Sequence, residues 1–116
     1  MIKDNIVAEK SMDFAIRIVK LYKYLQSEQG ETVMSKQILR SGTGIGANIR
    51  EGLYAQSRND FISKLSIALK EAVETEYWLE LLSKTGYLRE EEYASMRSDC
   101  SEVSRLLTAI VKSTKK

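Results

Sequence analysis

Chemistry is first to be sought in the stretch Arg40-Ser-Gly-Thr-Gly-Ile-Gly-Ala-Asn-Ile-Arg-Glu-Gly52. Its three glycines at every second position, followed by Ala47, match the Gly42-x-Gly44-x-x-Ala47 spacing with which a dinucleotide site cradles pyrophosphate. That chemistry needs the glycines in a tight turn between a buried strand and a helix, where helix N-terminal amides meet the phosphates. The preceding Met-Ser-Lys-Gln-Ile-Leu supplies no such strand and no second βαβ unit follows, while Asp60, near the distance of a ribose-binding acid, is better used as a helix-cap partner. The competing reading puts the glycines inside a helix, where each costs ~1 kcal/mol relative to alanine and therefore needs a packing reason. Gly42 and Gly46 then lie one turn apart as bare backbone on which a neighbour can dock, and Gly44 shares a small polar stripe with Ser41, Asn48, Glu51 and Ala55. The expectation is that this surface packs on another helix or another subunit, with Asn48 and Glu51 making directed hydrogen bonds.

Other catalytic constellations are scarce. The chain has no histidine, which removes Ser-His and Cys-His nucleophile pairs and every zinc or di-iron bundle site that requires an imidazole. Glu71, Glu74, Glu76 and Glu80 could in principle do acid-base work, but Lys70 and Glu74, like Glu80 and Lys84, stand four apart as ordinary helix-surface pairs. Glu76 differs, because it falls on or beside the Ala72 to Leu79 apolar stripe and needs an arginine or a donor such as Asn48 to meet it; it reads as a buried or interfacial partner. Tyr77 and Trp78 flank it as interface anchors or core. No arrangement identifies a reaction, so no catalytic residue, metal or cofactor is expected.

Binding is the remaining chemistry. Eighteen basic against sixteen acidic side chains leave a net charge of only +2, so any affinity for nucleic acid must come from how the charges are distributed. At helical spacing, Lys36, Arg40, Thr43, Ala47, Arg50 and Tyr54 share one stripe, with Arg58 just beyond; Lys10, Arg17, Lys20 and Tyr24 share another, with Lys23 alongside. Arg17, Lys20, Lys23, Lys36, Arg40, Arg50 and Arg58 are therefore the candidate phosphate contacts, with an aromatic at hand for stacking. Charge on an outer helix face more often serves solubility alone.

The elements that would carry these residues are helical. A chain of 116 residues with 43% hydrophobic side chains, no proline and few glycines elsewhere suits one all-α domain spanning 1–116. Val7, Phe14, Ile18, Leu21 and Leu25, broadened by Ala8, Met12, Ala15, Val19 and Tyr22, predict a first helix from a cap at about Asn5 to about Glu28, stopped by Gly30. Ile38, Gly42, Ile45, Ile49 and Leu53 predict a second, capped by Thr32 or Ser35 and reaching about Gln56. Ser57-Arg58-Asn59-Asp60 resembles a capping box with Asp for Glu, introducing Phe61, Leu65, Ala68, Leu69, Ala72, Leu79 and Leu82 on a third helix closed by Gly86. The fourth runs from about Glu90 to Lys112, with Tyr93, Met96, Cys100, Val103, Leu107 and Ile110 three and four apart, acidic residues at its start and lysines at its end. Short connections make neighbours antiparallel, so the architecture expected is an up-down-up-down four-helix bundle; a three-helix alternative would fuse the second and third helices across Ser57. The lone Cys100 cannot form an intramolecular disulfide, the N-terminal MIKDNIVAEK lacks an apolar core and no run is long enough to cross a bilayer, which points to a cytoplasmic location and no membrane partner.

Ser35 to Gly52, SKQILRSGTGIGANIREG, followed by DFISKLSIALKEAVETEYWLELL at Asp60 to Leu82 and preceded by FAIRIVKLYKYL at Phe14 to Leu25, resembles the four-helix-bundle proteins encoded in intervening sequences of bacterial 23S ribosomal RNA genes. The same fold family includes the accessory variability protein of diversity-generating retroelements. The resemblance implies a bundle assembling as a barrel-like homopentamer, and the retroelement relatives use a basic surface to bind a reverse transcriptase and nucleic acid. The leading expectation is a noncatalytic homo-oligomer that binds structured RNA, or DNA, through the basic stripes of its first two helices, in the company of a nucleic-acid-processing protein. Its rival is a protein-interaction scaffold whose stripes meet an acidic partner.

Overall fold

The computed structural model describes residues 5–115. They form four helices: α1 (Asn5–Ser27), α2 (Met34–Leu53), α3 (Arg58–Lys84) and α4 (Glu90–Lys115). Helices of 20 to 27 residues in a body of 45 × 21 × 19 Å must all lie along its long axis, and with short connections they alternate in direction as an antiparallel four-helix bundle. Each helix packs on its successor and α4 returns to α1, with α2 and α3 the most closely packed pair and α1 and α4 the least. A continuous core includes Phe14, Ile18, Ile38, Ile45, Leu65, Leu79, Met96 and Leu107, whole turns apart on their helices as the periodicity requires.

The helix ends follow from local chemistry, with one correction. Neither Thr32 nor Ser35 caps α2. The Glu31 carboxylate does so, accepting from the amides of Val33 (3.1 Å), Met34 (3.0 Å) and Ser35 (2.7 Å), while the Ser35 hydroxyl donates back to the Glu31 carbonyl at 2.8 Å. A carboxylate is the better acceptor at this end of the helix dipole, and its longer side chain spans several amides at once. At α3, Ser57 accepts from the Asp60 amide at 3.0 Å, but Asp60 reaches the Gln56 amide at 3.4 Å, so only the serine half of the expected box forms. Gly86, at φ +86°, closes α3: the Tyr87 amide donates to the Leu82 carbonyl and the Gly86 amide to that of Ser83, the paired bonds of a Schellman motif. Gly30, after α1, is likewise left-handed at φ +65°. The cap expected at Asn5 lies outside the described side chains.

Four further details differ from the sequence expectation. α2 stops at Leu53, with Tyr54 to Ser57 forming the turn, because the Tyr54 and Ala55 amides bond back to Glu51 and Gly52. Met12 is 48% exposed and does not broaden the α1 core face. On α4, Val111 is buried where Ile110 was expected, and Tyr93 and Ile110 are only partly buried. On α3 it is Thr75, fully buried, that occupies the core position, its hydroxyl bonding Ser41 Oγ at 2.9 Å and the Glu71 carbonyl at 2.8 Å; Glu76 is turned to the half-buried flank.

The glycines run through continuous helix with negative φ and lie against protein. A Cβ on Gly42 would stand 2.7 to 2.9 Å from the side chain of Ile18 on α1, and one on Gly52 would stand 2.6 Å from Leu65 Cδ1 on α3. Gly46 also faces α1, where an added Cβ would stand 3.3 Å from Ser11 Oγ, and Gly44 faces α3, where one would stand 3.2 Å from the Glu71 carboxylate.

Two outcomes follow for urea unfolding. Gly42→Ala gains about 1 kcal/mol of helix propensity but overpacks fully buried Ile18 at about 1–3 kcal/mol, so a net loss of about 1 kcal/mol is expected. Glu31→Ala strands three amides and should lower stability by about 1–2 kcal/mol, and Glu31→Gln, which keeps one acceptor oxygen, by less.

Candidate nucleic-acid interface

The seven cations nominated from sequence divide into two groups. Arg17 on α1 reaches across to α4, donating to Asp99 at 2.7 Å, Glu92 at 3.1 Å and Ser95 at 3.0 Å. Burial works against its charge, but the hydrogen bonds and charges of Asp99 and Glu92 outweigh that and raise its pKa above the ordinary arginine value. Arg40 on α2 bridges to α3, pairing with Glu71 at 3.5 Å and with Glu74. Arg58, at the start of α3, donates from Nε to the Thr114 carbonyl at 2.8 Å, satisfying one of the last carbonyls of α4. These three arginines tie helices together, and the fork of donors that suits them to phosphate is already occupied.

Lys20, Lys23, Lys36 and Arg50 form the second group. All four are exposed and have no salt bridge among the described residues. Lys36 and Arg50 stand on the outer stripe of α2 with Ala47 and Tyr54, the latter 81% exposed, and Arg50 also borders a groove with Met12 and Ala15 of α1. Lys20 lines a separate cleft with Tyr24, Tyr87 and Arg89. Arg89 and Tyr87 were not among the nominated residues. They belong to the α3–α4 turn, distant in sequence from both basic stripes, and only the closing of the bundle sets them beside Lys20.

The residues nominated for packing have mixed assignments. Gly42 and Gly46 meet α1, as above. Asn48 turns back on its own helix, its side-chain amide donating to the Gly44 carbonyl at 2.8 Å, so the cross-helix bond expected of it is absent. Glu51 pairs with Lys64 of α3 at 3.0 Å, and that partnership raises the Lys64 pKa. Glu76 shares a surface groove with Tyr93 and Arg97 of α4, without a hydrogen bond to Asn48. Tyr77 is 57% exposed and packs edge-on against Trp78, whose indole donates to Glu74 at 3.0 Å. Glu80 and Lys84 form the expected pair at 3.8 Å, but Glu74 is taken by Arg40 and Trp78 rather than by Lys70.

A family profile described as 23S rRNA-intervening sequence protein matches residues 3–109. The chain belongs to that family. It is also similar to a solved structure, a protein of unknown function from the S23 ribosomal protein family of Bacteroides thetaiotaomicron. The two are 64% identical, the match covers 95% of this chain and 98% of that one, and the TM-score is 0.94. No curated protein matches. No helix among the described residues is long and apolar enough to cross a membrane.

Cys100 is the one cysteine of the chain. It is fully buried, its Sγ directed to the Ala72 carbonyl at 3.6 Å. Burial foremost, with the charges of Glu76 and Asp99, pushes its pKa up to about 12, so the nucleophilic thiolate is suppressed at neutral pH. Because the unfolded thiol titrates near 9 and the folded one near 12, its contribution to stability is retained below about pH 9 and lost as pH rises through that interval. Iodoacetamide at pH 8 should leave native protein unmodified and alkylate it fully in denaturant, as read by intact mass; rapid native labelling would contradict the burial.

Proposed function

We propose that this 23S rRNA-intervening sequence protein is a noncatalytic homo-oligomer that binds structured RNA through the outward faces of α1 and α2. The observation that carries the reading is the division among its cations: Arg17, Arg40 and Arg58 are spent on internal ties, whereas Lys20, Lys23, Lys36 and Arg50 are exposed without a carboxylate partner among the described residues. Free cations beside small residues and an open tyrosine suit a phosphate backbone, which dominates nucleic-acid affinity.

Assembly is supported by apolar side chains on outer faces. Met12 and Ile16 lie one turn apart on α1, 48% and 47% exposed, and Val73 and Tyr77 lie one turn apart on α3, 66% and 57% exposed. Paired exposed apolar residues on two different helices are what a subunit contact would cover. The family resemblance implies five copies. A reverse transcriptase or other nucleic-acid-processing protein would be a further partner of the same basic face, and a cytoplasmic location accords with a buried, reduced thiol.

The test is RNA binding by the native oligomer across a salt series, together with its mass before and after nuclease treatment. Affinity should fall steeply with salt, and Lys23→Gln, Lys36→Gln and Arg50→Gln should each lower the log–log slope by about 1, whereas Arg58→Gln should act on stability more than on the slope. No RNA binding at low salt, with capture of an acidic protein instead, would replace this reading with the scaffold one.

A further inference from the structure

The least tightly packed neighbours in the bundle, α1 and α4, leave a cleft of about 470 Å³ where they meet the α3–α4 turn. Leu21, Leu88 and Met96 are its buried apolar floor, and Tyr24 and Tyr87 line it from α1 and from the turn. Tyr24 is 42% exposed, and its hydroxyl is held by Gln29 Nε2 at 2.6 Å. Lys20 and Arg89 line the same cleft, both exposed and without a salt bridge among the described residues. Glu92 also lines it, held by Arg17 at 3.1 Å, so the lining carries three cations, Arg17, Lys20 and Arg89, to one carboxylate.

An apolar floor, two phenol rings and two unpaired cations describe a ligand with a flat hydrophobic part and an anionic part. The cavity volume falls within the range of about 300–1,000 Å³ typical of small-ligand pockets. A base inside a duplex is stacked on both faces and offers neither to such a cleft, whereas a base in a loop, a bulge or a strand end can be splayed out and stacked on an aromatic ring.

We infer that this cleft is a subsite for one unpaired nucleotide, its phosphate paired with Lys20 and Arg89 and its base against Tyr24 and Tyr87 over the Leu21–Met96 floor. The inference rests on the RNA-binding reading and adds to it a preference for unpaired over duplex RNA, with a contact point on the α3–α4 turn that the α1 and α2 stripes do not include.

The full-length oligomer is titrated with AMP and with ribose 5-phosphate by calorimetry, and with a labelled single-stranded RNA and its duplex by fluorescence anisotropy. AMP should bind at least about fivefold more tightly than ribose 5-phosphate, the lower end of what one stacked base contributes. Lys20→Gln, Arg89→Gln and Tyr24→Leu, all at exposed positions, should each weaken AMP about tenfold, while Lys112→Gln, an equal loss of charge elsewhere on α4, should leave it unchanged. AMP held no better than ribose 5-phosphate, or weakened equally by Lys112→Gln, overturns the subsite. Salt-sensitive RNA binding that persists beside absent AMP binding would sink this inference alone. Failure of both single-stranded and duplex RNA to bind would instead sink the broader reading.

Discussion

The bundle depends on how closely α2 approaches its two neighbours. Ile18 of α1 fills the space beside Gly42 that any other residue's Cβ would need, and Leu65 of α3 does the same at Gly52. The helix thus accepts the propensity cost of glycine in exchange for dispersion contacts made directly with its backbone. Between these points Ser41 and Thr75 share a buried hydrogen bond, so the α2–α3 seam is small and polar as well as bare, with the Thr75 hydroxyl also satisfied by its own helix. Two faces of α2 are consumed by α1 and α3. The third, with Lys36, Ala47, Arg50 and Tyr54, is left outward.

The same economy governs the charges. Three arginines on three different helices make ties between helices, from α1 to α4, from α2 to α3 and from α3 to the end of α4. Guanidinium groups suit these positions because their fixed fork engages two acceptors together, as Arg17 does with Asp99 and Glu92. Lys20, Lys23 and Lys36 on the outer faces of α1 and α2 carry compact, hydrated charge on flexible stems and are uncommitted among the described residues, whereas Lys10 of α1 pairs with Glu102 of α4 at 3.2 Å. What separates a structural cation from an available one in this protein is therefore the partner across the bundle, which neither residue type nor position on a helix stripe reveals alone.

That distinction marks the boundary of what could be read from the residues. Four helices, their order, most of the core and the serine cap of α3 were legible, because apolar periodicity and cap chemistry are local. Glycine inside helix rather than in a phosphate loop was legible too, since the residues before Arg40 do not alternate as a strand. The cap of α2 was misread as Thr32 or Ser35 because a short hydroxyl is the habitual choice, whereas the Glu31 carboxylate reaches farther and satisfies three amides. Periodicity leaves Glu76 on or beside the core stripe, and only the rotation of α3 in the packed bundle gives Thr75, with its hydroxyl satisfied by Ser41, the buried position and Glu76 the half-buried one.

The sequence by itself determined the secondary structure, the class of fold, the family and the exclusion of imidazole chemistry, since each follows from residue types at short spacing. Only the tertiary structure decided which cations are spent, which glycine faces which helix, and that Lys20 and Arg89, far apart along the chain, border one cleft. Helical periodicity assigns a residue to a face, but the partner on that face is chosen by how helices distant in sequence pack, and hydrogen bonds and charge pairs are decided over the last few ångströms of that packing.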